Sequence, residues 1–514
     1  MNQSGISLNK NLYAYFQQQF TRHADKSALV LVDQSTISYA DLERESARLA
    51  CYLSDLGIKV GDRVSVQVSK SPQALYLYLA CLRAGFVFHP LNTGYKEAEL
   101  DYFLSNAEPA IVICDQQDKP LMAKLCSNNN IAHLLTLNAD GSGSLTANAQ
   151  KAEAEFAVVA REDNDLAALL YSSGTTGVPK GIMLSHHNLR SNAECLVEAW
   201  GFTNDDVLLH ALPIFHVHGL FVALGCVFLS GASMHWLKDF NAQQVIDNLP
   251  ACTVMMGVPT YYTRLLSNSQ FDRSLTSNIR LFISGSAPLL SETFNEFLER
   301  TGQAILERYG MTETNMNTSN PLVGERRAGT VGMPLPGVEV RIVNQQGVEV
   351  NSDEVGDIQV RGENVFRGYW RMPDKTAEDL GADGFFNTGD KGTLSEDGYI
   401  SIVGRAKDMV ISGGLNVYPK EVELLVDSLE GVKESAVIGV PHSDFGEAVV
   451  AIVVYNNEAQ QPDEQAIISS LKSQVSAFKV PKRVIGIEEL PRNTMGKVQK
   501  NVLRDQFSDL FQSE

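Results

Sequence analysis

The sequence predicts an α/β protein in which a large N-terminal domain of layered sheets and helices is followed by a small α+β domain. Three observations predict it. Segments of helical period alternate with short β-rich runs up to about residue 404. The chain, at 514 residues, is longer than one hydrophobic core usually supports. Beyond about residue 404 the texture changes, and short strands enclose a few helices in what reads as a separate unit.

Along the first domain, "ISYADLERESARLACYLSDLG" sets Tyr39, Leu42, Leu49, Leu53 and Leu56 at three- and four-residue steps or their sums, with Gly57 as a helix stop. The run "RVSVQVS" follows, with Val64, Val66 and Val68 in strict alternation, the pattern of a strand. Helix-like "SPQALYLYLACLRAG" and "KEAELDYFLSNAE" and strand-like "AIVIC", "LAALLY", "CTVMMGV" and "RLFISG" continue the pattern. Open sheets of this kind bind ligands at the carboxyl ends of their strands. The stretch "NADGSGSLTANAQKAEAE" reads as a surface loop. In the C-terminal part, "SAVIGV", "AVVAIVVY" and "RVIGIEEL" are strand-like and "PKEVELLVDSL" helical. A charged cluster, "GRAKDMV", separates two apolar strands and sets the expected division at 1–406 and 407–514.

Composition narrows the function. Hydrophobic residues make up 44% and charged residues 20%, as in a folded globular chain. A formal net charge of −19 with no long basic run disfavours nucleic acid and anionic membranes as partners. Seven cysteines, all in the first half and none in C-x-x-C spacing, read as reduced buried thiols rather than a zinc site or a disulfide framework. The N-terminus lacks a basic region followed by an apolar core, and no apolar run approaches the ~20 residues of a membrane span. These features place the chain in the cytoplasm.

Four clusters carry chemistry. "YSSGTTGVPKG" brings together Ser172, Ser173, Gly174, Thr175, Thr176, Gly177 and Lys180. Glycine-rich backbone can aim several N–H groups at one anion, hydroxyls add donors and a lysine adds charge, so the stretch suits a phosphate cradle. It departs from the pattern G-x-x-x-x-G-K-[ST], because Lys180 follows Gly177 by three and precedes Gly181. A polar loop that binds nothing has the same composition. "ERYGMTETNMNTSNP" sets Thr312 beside Glu313, a hard oxygen donor of the kind Mg²⁺ takes when it enters with a nucleotide. A solvated loop glutamate looks no different in sequence. "TGDKGTLSEDGYISIVGRAKD" offers Asp390 and Arg405, a carboxylate for ribose hydroxyls and a guanidinium for ribose or phosphate oxygens. "PRNTMGKVQK" puts Lys497 on a turn-like segment.

These clusters, co-linear over nearly the whole chain, resemble the adenylate-forming superfamily of acyl-CoA synthetases, beetle luciferases and peptide-synthetase adenylation domains. The resemblance implies a large adenylate-forming domain with a small mobile lid, and two half-reactions. A carboxylate attacks the α-phosphate of Mg·ATP and releases pyrophosphate; the thiol of coenzyme A then attacks the acyl-adenylate and expels AMP. It further implies that Lys497, Thr312, Glu313 and Lys180 act in catalysis, with Glu313 the magnesium ligand. ATP would lie against Ser172 to Gly177, Gly285, Ser286, Ala287, Pro288, Tyr309, Gly310, Met311, Thr312, Asp390 and Arg405. Lys407 would sit at a hinge, and Gly413 and Gly414 would line the path of the pantetheine arm.

Within the superfamily "HALPIFHVHGLF", "GVPTYYTRLL", "LFISGSAPLL", "VFRGYWRMPDKT" and "PRNTMGKVQK" are most similar to malonyl-CoA synthetases. Malonate reacts at one carboxyl while the other stays ionised, and burying that second charge requires a cation. Arg308 is the leading candidate and Arg280 the second; an Arg308 that faces away into a structural ion pair is the competing reading. His216 and His218 would lie along the substrate or pantetheine route, and Val217 and Met311 would wall the acyl pocket and keep it short, with malonate or methylmalonate as substrate. A short- or medium-chain fatty acyl-CoA synthetase is the alternative, and the oligomeric state stays open.

Overall fold

The structure, a computed structural model, describes residues 9–172, 179–412, 415–442, 445–456, 462–472, 474–475, 477–493 and 496–511. The chain forms two compact units, one running to Glu339 and resuming at Val360–Phe386, the other made of Val340–Gln359 and Asn387–Glu514. The sequence boundary at 406/407 falls inside the second unit, in the single 3₁₀ turn Ala406–Asp408. Residues 387–405 lie in that unit because the strands Phe386–Leu394 and Ile400–Arg405 pair antiparallel there, Asp390 opposite Arg405.

The first unit is built on two large sheets. Six strands run in the order His133–Thr136, Ile111–Cys114, Arg63–Gln67, Val87–Pro90, Leu166–Ser172 and Lys180–Ser185, parallel except for the antiparallel last pair. Val64 and Val66 are buried as their alternation requires, but Ser65 and Gln67 between them are buried too. An interior strand of a parallel sheet has no wet face, and Ser65 Oγ meets its need with a 2.7 Å hydrogen bond to His89 Nδ1.

The helix Tyr39–Asp55 starts in a capping box of Ser38 and Asp41 and buries Tyr39, Leu42, Leu49 and Leu53 along one face. Leu56 caps it, and Gly57 follows with φ 90°, a left-handed turn only glycine takes cheaply. One expectation is corrected: the stretch read as a surface loop at 138–155 contains the helix Ser144–Ala149. Leu145 and Ala149, four residues apart, are both buried, and Ser144 exchanges hydrogen bonds with Thr136. Two apolar residues at helical spacing outweighed the local Gly and Ser content.

A nine-stranded sheet carries the candidate site. Its central strands Val207–His210, Val254–Gly257, Leu281–Ser284 and Leu306–Met311 run parallel. The helices Pro259–Leu266 and Ser291–Thr301 cover one face, where Tyr262, Phe282 and Phe297 meet edge to face with centroids 4.9 to 6.3 Å apart. Each such side chain contributes about 1.5–3 kcal/mol on burial, enough to fix the strands' ends.

The second unit is a small α+β fold. Val432–His442 and Gly446–Tyr455 pair over most of their length; the other edge of Gly446–Tyr455 takes Arg483–Gly486 in parallel and, at Gly446, Val410–Ser412, which pairs in turn with Leu415–Val417. Helix Pro419–Asp427 packs Val422 and Val426 on one face of this sheet, and Leu503 of helix Lys500–Gln506 packs on the other. Among the described residues no helix is long and apolar enough to cross a membrane. All seven cysteines carry free thiols, five of them buried.

Candidate active site

The parallel strands align their carboxyl ends, Gly257 beside Ser284 and Ser284 beside Glu307. The residues just beyond, Gly285 to Pro288, and the end of Leu306–Met311 are therefore neighbours, as the sheet rule predicts. Ser286 sits at φ 71°, held in that turn while its hydroxyl lies 3.3 Å from His218 Nδ1. Leu306–Met311 turns back into Asn315–Ser319, so that Thr312 and Glu313 form the tip of a hairpin. Gly310 permits the turn: a Cβ there would stand 1.8 Å from the Asn315 carbonyl oxygen.

Arg308 is buried, 3% exposed, and its Nε and Nη2 have no hydrogen-bond partner among the described residues. The guanidinium lies over Gly285, where an added Cβ would come within 2.5 Å of Cζ. Burial pushes its pKa down to about 9, with Tyr262 the opposing influence, so it remains a cation at neutral pH. An unpaired buried charge is costly, and a bound anion would remove that cost. His218 lies close enough to Arg308 for their repulsion, after burial itself, to hold its imidazole well below the usual range. His218 is thus neutral, and its Nε2 is a further buried polar atom without a partner among the described residues. Val217 is buried beside it, at the entry to the π-helical turn His218–Ala223, while His216 and Met311 are half-buried. Among the described residues no carboxylate pairs with Arg308, as the reading of it as a structural ion pair would require.

Arg280 is a correction. It precedes Leu281–Ser284 and so stands at the opposite end of that strand from Ser284. Its Nε and Nη2 each lie 2.8 Å from a different oxygen of Asp206, and its remaining donors hold the carbonyls of Trp200 and Gly201. Asp206 also accepts from Thr253 Oγ1 and Thr203 N, so the pair staples the sheet's amino end. Sequence proximity to "LFISGSAP" could not tell one end of a four-residue strand from the other. Arg280→Ala is expected to cost about 1–3 kcal/mol in denaturant unfolding, since it strands a buried carboxylate, with the order of acid substrates unchanged.

Lys180 opens the strand Lys180–Ser185, buried, with Nζ 3.1 Å from Tyr369 Oη and 4.3 Å from the ring centroid. Its carboxylate neighbour is Asp379, at 3.5 Å. Tyr369 Oη donates to Asp379 Oδ2 at 3.1 Å; burial, followed by the negative charges of Glu313 and Asp379, raises its pKa far above the usual phenol. Glu313 is itself buried, its backbone carbonyl accepting from Phe366 N at 2.8 Å. Tyr369 and Asp379 were not singled out from the sequence, although both fall in or just after "VFRGYWRMPDKT"; nothing in their spacing links them to Lys180. Ser172 is the one residue of the proposed cradle before Pro179 that is described, and its buried Oγ has no partner among the described residues. Ser173, Gly174, Thr175, Thr176 and Gly177 lie outside the described residues, as do Gly413 and Gly414. Tyr309 is buried; Ala287 is half-buried and Pro288 exposed.

In the second unit Asp390 is buried and pairs with Arg405, Nε to Oδ1 2.8 Å. Two residues expected to hold a ribose therefore hold each other. Lys407 is exposed, yet the protein packed around its ammonium group lowers its pKa, chiefly by desolvation. Lys497 is exposed, on a turn closed by the bridge between Arg492 and Val498 and by Gly496 at φ 75°.

A family model described as AMP-binding enzyme matches residues 16–370, and one described as AMP-binding enzyme C-terminal domain matches 421–497. The chain belongs to the AMP-binding enzyme family. Both the resemblance to adenylate-forming enzymes and the division into a large and a small α/β part hold. Among curated relatives, a mitochondrial malonate–CoA ligase of Bos taurus is 34% identical over 95% of this chain and 89% of its own length. A malonate–CoA ligase of Arabidopsis thaliana is 31% identical over 97% and 89%, and a long-chain-fatty-acid–CoA ligase of Salmonella typhimurium 31% over 97% and 94%. Among solved structures, ATP-bound MatB from Rhodopseudomonas palustris superposes with a TM-score of 0.96 at 51% identity, covering 98% of this chain and all of that one. AMP-binding ligases of this kind take ATP and a thiol as co-substrates. The donors present fit magnesium arriving with the nucleotide: Glu313 is a buried carboxylate at a hairpin tip, with the Thr312 hydroxyl beside it.

Proposed function

We propose that the chain ligates malonate, and to a lesser degree methylmalonate, to coenzyme A through an acyl-adenylate, with ATP converted to AMP and pyrophosphate. The observation that carries the choice of acid is Arg308: a buried guanidinium with no acid partner among the described residues, on the strand that also bears Tyr309 and Met311. A monocarboxylate leaves that charge unpaired, whereas malonate can place its distal carboxylate there and its reacting carboxyl toward the hairpin tip. The likeness to malonate–CoA ligases supports the reading; the fatty-acid ligase at similar identity keeps the alternative in view.

In this reading His218, neutral, orients the substrate rather than adding charge, and Val217 and Met311 limit its length. Glu313 holds Mg²⁺, which when bound neutralises phosphate oxygens. Lys180 meets the phosphates, Asp390 and Arg405 the ribose, and Lys497 the oxygens on which charge gathers as the acyl–phosphate bond forms. Lys407 is assigned to the hinge and Gly413 with Gly414 to the pantetheine path on the family resemblance alone.

The test is ATP- and CoA-dependent AMP formation with malonate, methylmalonate, acetate, butyrate and octanoate, each thioester identified by mass. Malonate is expected to lead the monocarboxylates by about 100-fold or more in kcat/KM, the worth of roughly 3 kcal/mol from one buried ion pair. A lead by butyrate or octanoate would sink the malonate assignment and leave the ligase chemistry standing.

A further inference from the structure

The reading above gives Lys180 a phosphate to hold, yet in the structure that lysine already has a partner. Its Nζ lies 3.5 Å from Asp379 Oδ2 and 3.1 Å from Tyr369 Oη, with the side chains of Lys180 and Asp379 only 11% and 17% exposed. We infer that Asp379 is the resting counter-ion of Lys180, that Tyr369 carries the contact, and that nucleotide binds by taking the lysine from them. The inference rests on the nucleotide reading of this site.

Three features make the exchange cheap. At 3.5 Å the lysine and carboxylate are near neighbours but not in a short charge-assisted hydrogen bond, so little is lost on separation. Asp379 has a second cation: Lys375, four residues earlier on the helix Pro373–Asp379, reaches its other oxygen at 2.8 Å. When Lys180 leaves, the carboxylate stays neutralised and still accepts from the tyrosine hydroxyl. Tyr369 is also fixed independently of the lysine, its backbone N–H donating to Thr376 Oγ1 at 2.9 Å. Tyr369 and Asp379 are therefore positioning residues, acting through Lys180.

Two substitutions should act with opposite sign on binding of a non-hydrolysable ATP analogue with Mg²⁺, measured by calorimetry without acid or CoA. Asp379→Asn removes the competitor, and binding is expected to tighten about 3- to 10-fold. Lys375→Ala leaves Asp379 dependent on Lys180, and binding is expected to weaken by about the same factor. Both effects should vanish in a Lys180→Met background. A merely structural role would weaken binding in both variants and persist without Lys180, and that result overturns the proposal. Unchanged affinity in both variants, with the wild type still binding, overturns it while sparing the nucleotide reading; a wild type that does not bind the analogue overturns both.

Discussion

Arg308→Met is expected to lower kcat/KM for malonate by about 100- to 1,000-fold while leaving the melting temperature unchanged or raised. The two halves of that result have one cause. In the free protein the guanidinium is buried over Gly285 with two donors unmet, so an apolar side chain of similar length removes a desolvation cost and opens little space. In the complex the same change leaves the distal carboxylate of malonate buried without a cation, which costs several kcal/mol. Butyrate, with no second charge, should lose little or gain. Malonate should raise the melting temperature of the wild type and fail to raise that of the variant, because only a ligand that binds the folded state shifts it. Gly285→Ala is a second route to the same end, since the new methyl would displace the guanidinium without removing its charge. Equal losses on malonate and butyrate would make Arg308 a structural residue of the hairpin and remove the basis for acid selection.

The chemistry was more legible in the sequence than the positions of its charges. One backbone role showed through because few residues can fill it: Gly57, read as a helix stop, ends its helix at positive φ, whereas the tight hairpin at Gly310, where a Cβ would stand 1.8 Å from the Asn315 carbonyl oxygen, comes from the structure. The helix Tyr39–Asp55 was visible in its apolar period, while its Ser38–Asp41 capping box comes from the structure. Arginines were harder, because any arginine near a motif looks alike in one dimension. Arg308 and Arg280 flank the same pair of strands, but one lies at the carboxyl ends beside Ser286 and His218, the other at the amino ends locked to Asp206. Strand direction separates them, and the short run Leu281–Ser284 does not reveal it. Tyr369 and Asp379 were missed for a related reason: they lie 189 and about 200 residues from Lys180, and the chain shows no local sign that they meet. The buried Ser65 and Gln67 show the limit of period-two reasoning, which assumes one wet face that an interior parallel strand lacks.

Lys497→Ala is expected to separate the two half-reactions. Pyrophosphate release with malonate and ATP should fall by about 100- to 1,000-fold, the usual worth of one fixed group on a developing oxyanion. Thioester formation from synthetic malonyl-adenylate and coenzyme A should stay within about 3-fold of wild type, because there the thiol attacks the acyl carbon and charge develops first on the carbonyl oxygen, before AMP departs with the bonding pair, rather than on the α-phosphoryl oxygens assigned to Lys497. The lysine is exposed on its turn, and surface changes of this kind stay within about 0.5 kcal/mol of stability, so unfolding cannot account for a selective loss. Comparison with Arg308→Met then assigns the two cations. A variant that fails with every acid but only in the first half-reaction has lost the group that meets the phosphate; one that fails only with diacids has lost the group that meets the substrate's tail. If Lys497→Ala slows both halves alike, the lysine supports the architecture of the small unit rather than the phosphoryl chemistry, and the first half-reaction must draw its charge from Lys180 and Mg²⁺.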